Sequence, residues 1–324
     1  MKIPPAYSIT SDILSLLSKI EVNRQFISLS KIPDAIVTKL RRISLMKSAV
    51  YSARIEGNPL TVEEMEYSED EIKKLEIENI IFTYEWIRKN IPAKTIITIE
   101  IVKKLHYFSM RNILGESGRL RREMGAIFDS AGVAVYISPP PEKINSLLEE
   151  LLNYINENNE EYPLIKALIS HLVFEKIHPF IDGNGRAGRL LISIVLRVKR
   201  YDFGLGLPYE QFLDEHKSDY YYYLGNGLKE TNEYLKFMLR AFFAETEQLK
   251  NQIGIEMNKT IILPPRQEEM YNIIKDHRVV SFDFIKRRFV KVPARTLRYD
   301  LKKLCNQNLV LKIGKTKGSF YKAK

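Results

Sequence analysis

The chain has 324 residues, 45% of them hydrophobic and 28% charged, which suits two or three compact cores and excludes a disordered chain. With 15 Gly and 14 Pro it is neither collagen-like nor of low complexity, and the lone Cys305 excludes a disulfide framework or a multi-cysteine zinc site and fits a reducing compartment. The net charge of +10 is local: Ile262 to Lys324 holds 16 Lys and Arg against 5 Asp and Glu, and the remainder is nearly neutral. Basic character therefore belongs to a tail module. The N-terminus has no apolar leader core and no run reaches the roughly 18 apolar residues of a membrane span, so the expectation is a cytoplasmic protein without a membrane partner.

In chain order, Leu, Ile and Val recur at helical spacing through Thr10–Ile20, Ser30–Ile55 and Val62–Ile91, which predicts an N-terminal helical region over residues 1–104. A core follows over residues 105–250. Between Gly118 and Pro141, the apolar residues Ala126, Phe128, Val133, Val135 and Ile137 flank Asp129-Ser130-Ala131-Gly132, the mark of a hairpin closed by Pro139-Pro140-Pro141. Helices are predicted over Lys143–Ile155, over Pro163–Ile177 with Leu164, Leu168 and Leu172 on one stripe, and from about Gly185 to Arg200. Residues 203–250 hold one or two more. Weak periodicity after Asn251 and the pair Pro264-Pro265 mark a linker over residues 251–264.

Residues 265–324 give a first helix over Arg266–His277 and a second that Ser281 caps and that runs through Phe289. A third starts at Pro293, with Leu297, Leu301 and Leu304 facing inward. Leu309–Ile313 and Ser319–Lys322 then pair as short strands around Gly314–Gly318. This tail resembles a winged helix. Arg295, Arg298 and Lys302 share the outer face of its third helix, a cationic surface suited to DNA, although winged helices also carry protein contacts.

One segment carries chemistry: His178-Pro179-Phe180-Ile181-Asp182-Gly183-Asn184-Gly185-Arg186-Ala187-Gly188-Arg189, set between two apolar helices. Pro179 ends the first helix. Gly183 and Gly185 leave backbone N–H groups unobstructed where the next helix starts, and there the dipole and the unpaired donors favour phosphate oxygens. Arg186 and Arg189, at i and i+3, add two forked cations on one face. Asp182 is a hard oxygen ligand beside that site, and Mg²⁺ is usually held by one carboxylate plus substrate phosphates. His178 is suited to removing a proton from a hydroxyl near neutral pH. Base, metal ligand and anion cradle together suit attack by a hydroxyl on a nucleotide phosphate. Helical spacing on both sides opposes a β-hairpin here, and an EF-hand would need Gly at Ala187 and Glu at Ser193. Gly314-Lys315-Thr316 is no P-loop, because Leu309 stands where its first glycine belongs.

His178 through Arg189 fills every specified position of the Fic family signature, His-x-Phe-x-Asp/Glu-Gly-Asn-Gly-Arg-x-x-Arg, and the chain resembles that family over roughly residues 105–245. The resemblance implies a mainly α fold: a Fic-type helical core with a β-hairpin flap, followed here by the C-terminal winged helix-turn-helix domain. It implies a protein adenylyltransferase, a nucleotidyltransferase that moves AMP from ATP to a Tyr, Thr or Ser hydroxyl of a target protein and releases pyrophosphate. On that pattern His178 is the base and Asp182 the Mg²⁺ ligand. Asn184 with the Gly183 and Gly185 amides cradles the α- and β-phosphates, Arg186 contacts the β-phosphate, Arg189 contacts the γ-phosphate, and Phe180 is buried. The hairpin from about Gly125 to Tyr136 becomes a flap that aligns an extended target segment by backbone pairing. In the run Tyr220–Tyr223, Tyr221 and Tyr222 are the candidates to stack on adenine.

Ser52-Ala53-Arg54-Ile55-Glu56-Gly57 ends a helical stretch, with Gly57 at the C′ position. Glu56 lies at the unfavourable end of the helix dipole and gains from a cationic partner. The run resembles the family's inhibitory motif, Ser/Thr-x-x-x-Glu-Gly/Asn. That resemblance implies an autoinhibited enzyme, in which Glu56 pairs with Arg189 and denies it to the γ-phosphate while Ser52 bonds near the same loop. A related branch uses this glutamate in removing AMP, so the reverse reaction stays open. A homodimer is a candidate assembly. The competing reading is a DNA-binding transcriptional regulator with a nucleotide-sensing Fic site. His171 reads as a packed helix residue, and His106, His216 and His277 have no ligand-like company.

Overall fold

The computed structural model of the chain describes residues 1–128, 134–157, 160–201, 203–259, 263–307, 309–314 and 319–323. It divides into two units, Met1–Ile255 and Glu256–Lys324. In the first unit, local capping decides where helices begin. Helix α1 (Ser11–Leu29) starts behind Thr10, whose side chain accepts from the Ile13 N–H. Helix α2 (Asp34–Ile55) ends in a left-handed glycine: Gly57 N–H donates to Arg54 O and Asn58 N–H to Ala53 O, the paired bonds of a Schellman turn. The helix expected from Val62 begins only at Glu71. Thr61 and Glu64 bond each other's backbone N–H and confine the earlier residues to a short 3₁₀ turn, and Asp70 caps α3 (Glu71–Asn90) instead.

Helix α4 (Ile99–Ser109), capped by Thr98, leads to a hairpin of β1 (Ala126–Phe128) and β2 (Ala134–Ile137), antiparallel with Ile127 opposite Tyr136. The hairpin's connecting residues, 129–133, lie outside the described residues. Next come α5 (Ile144–Asn156), α6 (Pro163–Ile177) and α7 (Asn184–Val198). Residues 203–250 form not one or two helices but three, α8 (Glu210–Glu215), α9 (Lys217–Asn226) and α10 (Thr231–Lys259). Residues 251–259 continue α10 rather than forming a linker: Leu249 and Ile253, one turn apart, are both buried, so the helical contact outlasts the sequence periodicity.

Helix α6 is the centre of this unit. Every residue from Leu164 to Ile177 is buried, including Lys166, His171, Glu175 and Lys176, so the Leu164–Leu172 stripe understates a helix enclosed on all sides. It packs along α7, which in turn touches α2, α3 and α4. Helix α7, into which the α6–α7 loop leads, is thus packed by four helices.

The second unit holds α11 (Pro265–Asp276), β3 (Val279–Ser281), α12 (Phe282–Arg288), α13 (Ala294–Asn306), β4 (Val310–Ile313) and β5 (Phe320–Ala323). Its antiparallel sheet runs β3-β5-β4. Strand β3 was not legible beforehand: three residues are too few to show alternation, and pairing with β5 creates the strand. Ser281 caps α12 by accepting from Phe284 N–H at 3.2 Å. Leu297, Leu301 and Leu304 enter a core with Met270 and Ile285, and buried Asp300 accepts from Arg266 at 2.6 Å and Gln267 at 2.8 Å, tying α13 to α11. Among the described residues, no helix is long and apolar enough to cross a membrane.

Candidate active site

The α6–α7 loop is built by a helix end and a helix start. Helix α6 stops one residue short of Pro179, whose ring disfavours helical backbone at the residue before it. His178 takes the left-handed conformation there, φ 50° and ψ 60°, its N–H still bonded to Phe174 O at 2.9 Å. A non-glycine residue in this region carries strain that the surrounding contacts must hold. Arg121 supplies them: its N–H donates to Pro179 O, its Nε to His178 O at 2.7 Å, and its other nitrogens to Glu123 O and Pro139 O. One guanidinium therefore fixes both the loop and the base of the hairpin.

The imidazole of His178 is half-buried, its Nδ1 3.3 Å from Glu175 O, and its Nε2 has no hydrogen-bond partner among the described residues. Burial lowers its pKa from the ordinary value, so it is neutral at pH 7. Phe180 is fully buried, stacked on His106 with centroids 3.8 Å apart. Asn184 spends its side chain on the loop itself, Oδ1 accepting from Phe180 N–H at 2.9 Å and Nδ2 donating to Phe180 O at 2.8 Å. This departs from the expectation for a cradle: in this state Asn184 braces the loop, and its own N–H is what remains for an anion. The Gly183 N–H is likewise engaged, donating to Asp182 Oδ1 at 2.6 Å. Gly183 has φ 75°, and a Cβ there would come within 2.6 Å of Met110 Sδ, so only glycine fits the turn. The N–H groups of Asn184, Gly185 and Arg186 head α7 with no acceptor inside the helix.

The two loop arginines have different surroundings. Arg189 is 1% exposed. Its Nε donates to Ser52 Oγ at 2.9 Å, and one terminal nitrogen donates to Ser52 O at 2.9 Å and to Glu56 Oε1 at 3.0 Å. Burial opposes its charge, but its surroundings, the Glu56 carboxylate foremost, outweigh this and raise its pKa. Glu175 is not the balancing anion, because burial pushes it up to about 8. Glu56 is. Its carboxylate also lies over the helix start, where a Cβ on Gly185 would collide with Oε1. Arg186 is buried as well, with Nε and one terminal nitrogen unpartnered and Glu76 and Asp182 each at 4.0 Å. Ser52 and Glu56 come from α2, and Tyr209 secures the α7 backbone by donating to Arg189 O at 2.9 Å.

Asp182 is exposed, and no cluster of three or more His, Cys, Asp and Glu residues occurs among the described residues. One open carboxylate fits an ion completed by substrate phosphates and water, not a cage made by protein alone. The two adenine candidates separate. Both are partly open to solvent, but Tyr221 reaches the site, its hydroxyl donating to Ile55 O at 3.1 Å, whereas the Tyr222 ring lies against Tyr223. His171 lies buried between Tyr234 and Tyr220, 2.8 and 3.2 Å from their hydroxyls. Burial lowers its pKa to about 3, so its 3.9 Å approach to Glu175 is no ion pair.

Sequence reasoning missed His106 and Arg121. His106 Nδ1 accepts from the Gly118 N–H at 2.8 Å, which makes Nε2 the donor to Asp182 O, also at 2.8 Å. The buried positions Val102, Leu105, His106 and Ser109 follow helical spacing, so its burial was readable. Its partner, 76 residues away, was not. In the second unit Arg295, Arg298 and Lys302 are exposed on α13, with Arg298 4.5 Å over the Phe282 ring.

Residues 96–196 match the Fic/DOC family. Protein adenylyltransferase Fic of Drosophila mojavensis is 25% identical over 238 residues, covering 66% of this chain and 44% of that protein. A probable protein adenylyltransferase of Aquifex aeolicus is 28% identical, covering 46% of this chain and 47% of that protein. The matches thus span less than half the length of these curated relatives. A Fic family protein from Desulfovibrio desulfuricans G20 shares the fold across 99% of this chain and 98% of its own, with a TM-score of 0.78 at 22% identity. A Fic domain containing signaling protein from Bacteroides thetaiotaomicron covers 75% of this chain with a TM-score of 0.60 at 18% identity. Residues 96–196, which contain the α6–α7 loop, are thus a Fic/DOC family segment within a chain that shares its fold with Fic proteins of known structure.

Proposed function

We propose that the protein transfers AMP from ATP to a Tyr, Thr or Ser hydroxyl of a target protein, and that α2 holds the activity down. The observation that carries this reading is that one loop places a neutral imidazole, a carboxylate and an open helix start side by side. His178 Nε2 takes the proton of the incoming hydroxyl, whose oxygen bonds to the α-phosphorus as the bond to the departing pyrophosphate breaks. The N–H groups at the head of α7 and Arg186 hold the phosphates. Asp182 would hold Mg²⁺, which neutralises phosphate charge when bound. The hairpin is suited to pair with an extended target segment.

Arg189 is committed to Ser52 and Glu56, and the Glu56 carboxylate stands against Gly185, so a γ-phosphate meets an occupied cation and a like charge. Glu56→Gly removes the like charge and frees Arg189 from its carboxylate partner while leaving the Ser52 contacts. Mass spectrometry after incubation with ATP and Mg²⁺ should find AMP adducts of 329 Da at least about tenfold more abundant on Glu56→Gly than on wild type, given the worth of a charged hydrogen bond. Equal incorporation would refute the inhibitory role, and no adduct on either form or on added proteins would refute AMP transfer. Adducts that the wild type loses faster than Glu56→Gly would point to the reverse reaction.

The exposed cations Arg295, Arg298 and Lys302 favour a second role in binding duplex DNA through α13. With that role alone, His178→Ala would leave every measurable activity of the protein intact.

A further inference from the structure

A cavity of about 480 Å³ opens among α2, α3, α7 and residues 203–207, lined by none of the loop residues described above. Its volume matches pockets that hold small ligands, roughly 300–1,000 Å³. The depth is apolar, built from Leu196, Phe203, Leu205 and Phe242, all at least nine-tenths buried. The mouth is basic: among the described lining residues, Arg41, Arg42, Arg88 and Arg197 stand against one acid, Glu85, which pairs with Lys89 at 3.7 Å. Arg41 is held by the Gly204 carbonyl, at 3.3 Å from Nε and 3.1 Å from a terminal nitrogen, an arrangement that orients the cation without neutralising it. Arg42 and Arg88 are exposed and meet no carboxylate among the described residues. An apolar chamber behind Arg42 and Arg88, which no carboxylate of the described residues neutralises, is complementary to one ligand chemistry.

We infer that this cavity binds a small amphipathic organic anion, its apolar body inside and its carboxylate or sulfonate at the arginines, and that the occupant clamps α2 onto α7. The second part follows from the walls. Thr38, Ser44, Leu45 and Ser48 come from α2, the last of them one turn before Ser52, and Ser193 comes from α7, one turn after Arg189. A molecule touching both helices stabilises the arrangement in which they meet. The site requires nothing of the nucleotide reading, and its test uses no nucleotide.

The probes are 8-anilinonaphthalene-1-sulfonate and its uncharged relative N-phenyl-1-naphthylamine, titrated into the full chain and followed by fluorescence. Both should saturate a single site. Arg42→Glu with Arg88→Glu, two exposed positions, should weaken the sulfonate about tenfold and leave the neutral probe within about twofold. Leu45→Trp should reduce binding of both. Saturation with the sulfonate should slow amide exchange of residues 49–55 in α2. Multiple weak sites, an unchanged sulfonate affinity in the double charge variant, or unaltered exchange in α2 would each overturn the inference. If Leu45→Trp does not fold, the charge variant and the exchange measurement still decide.

Discussion

Helices α7 and α13 begin alike and arrive at opposite surroundings. Each carries two arginines at i and i+3 in its first turns, Arg186 and Arg189 in one and Arg295 and Arg298 in the other. The α7 pair is 5% and 1% exposed, whereas both arginines of α13 face water. The difference lies in what covers each helix. Helices α2, α3 and α4 pack on α7, so each guanidinium nitrogen there either meets an aligned acceptor or has none, and energy depends on ångström geometry. On α13 the same groups sit in high dielectric, where they act as a field that salt screens. Cation spacing along a helix therefore specifies a face, and the covering layer decides between a geometric site and an electrostatic surface.

The largest effect expected from this contrast is at the loop. His178→Ala should lower AMP incorporation by about 10²–10⁴-fold, the usual worth of general-base catalysis, while duplex binding by α13 is unchanged. Loss of both together would break the separation. Because burial lowers the His178 pKa, the base is unprotonated at neutral pH and protonates only on acidification. The acid limb of kcat/KM should then fall below about pH 6.5, with activity lost as pH drops, and a limb above that value would contradict the buried geometry.

A smaller effect is expected at the support of the loop. His106→Ala leaves the Gly118 N–H and Asp182 O unpaired and takes a stacking partner from Phe180. It should cost about 2–4 kcal/mol in urea unfolding and raise the KM for ATP of the folded fraction. An exposed α13 change such as Lys302→Ala should stay within about 0.5 kcal/mol. If the two cost the same, burial does not separate the helices.

The smallest effect sharpens the electrostatic side. Arg295→Ala and Arg298→Ala should each reduce the slope of log affinity against log salt by about 1 in duplex binding at two or more salt concentrations. No binding, or a slope that neither substitution moves, would leave α13 without a nucleic-acid role.

Much of the fold was legible because its elements are marked locally. Pro163, Pro179 and the glycines around Asn184 bound α6 and α7, and Gly57 ends α2 in a turn that only a left-handed residue closes. Errors arose where local signals compete. The Thr61–Glu64 bonds imitate a helix start without leading into one, and β3 exists only because β5 lies beside it. Within the site, residue types and spacing pointed to His178, Asp182, Arg186 and Arg189, but they did not reveal that Asn184 and the Gly183 N–H are engaged inside the loop.

What the sequence by itself determined was the order of helices, the position of a glycine-rich bend between two of them and the concentration of cations in the last sixty or so residues, because periodicity, proline and glycine constrain backbone within a few neighbours. Tertiary structure alone decided that His106 and Arg121 hold the bend, that the Arg189 guanidinium also bonds the Ser52 carbonyl, and that a basic-mouthed cavity forms behind α2. Those contacts join groups with no regular separation along the chain, and only the packing of α2, α4 and α6 around α7 brings them within hydrogen-bonding distance.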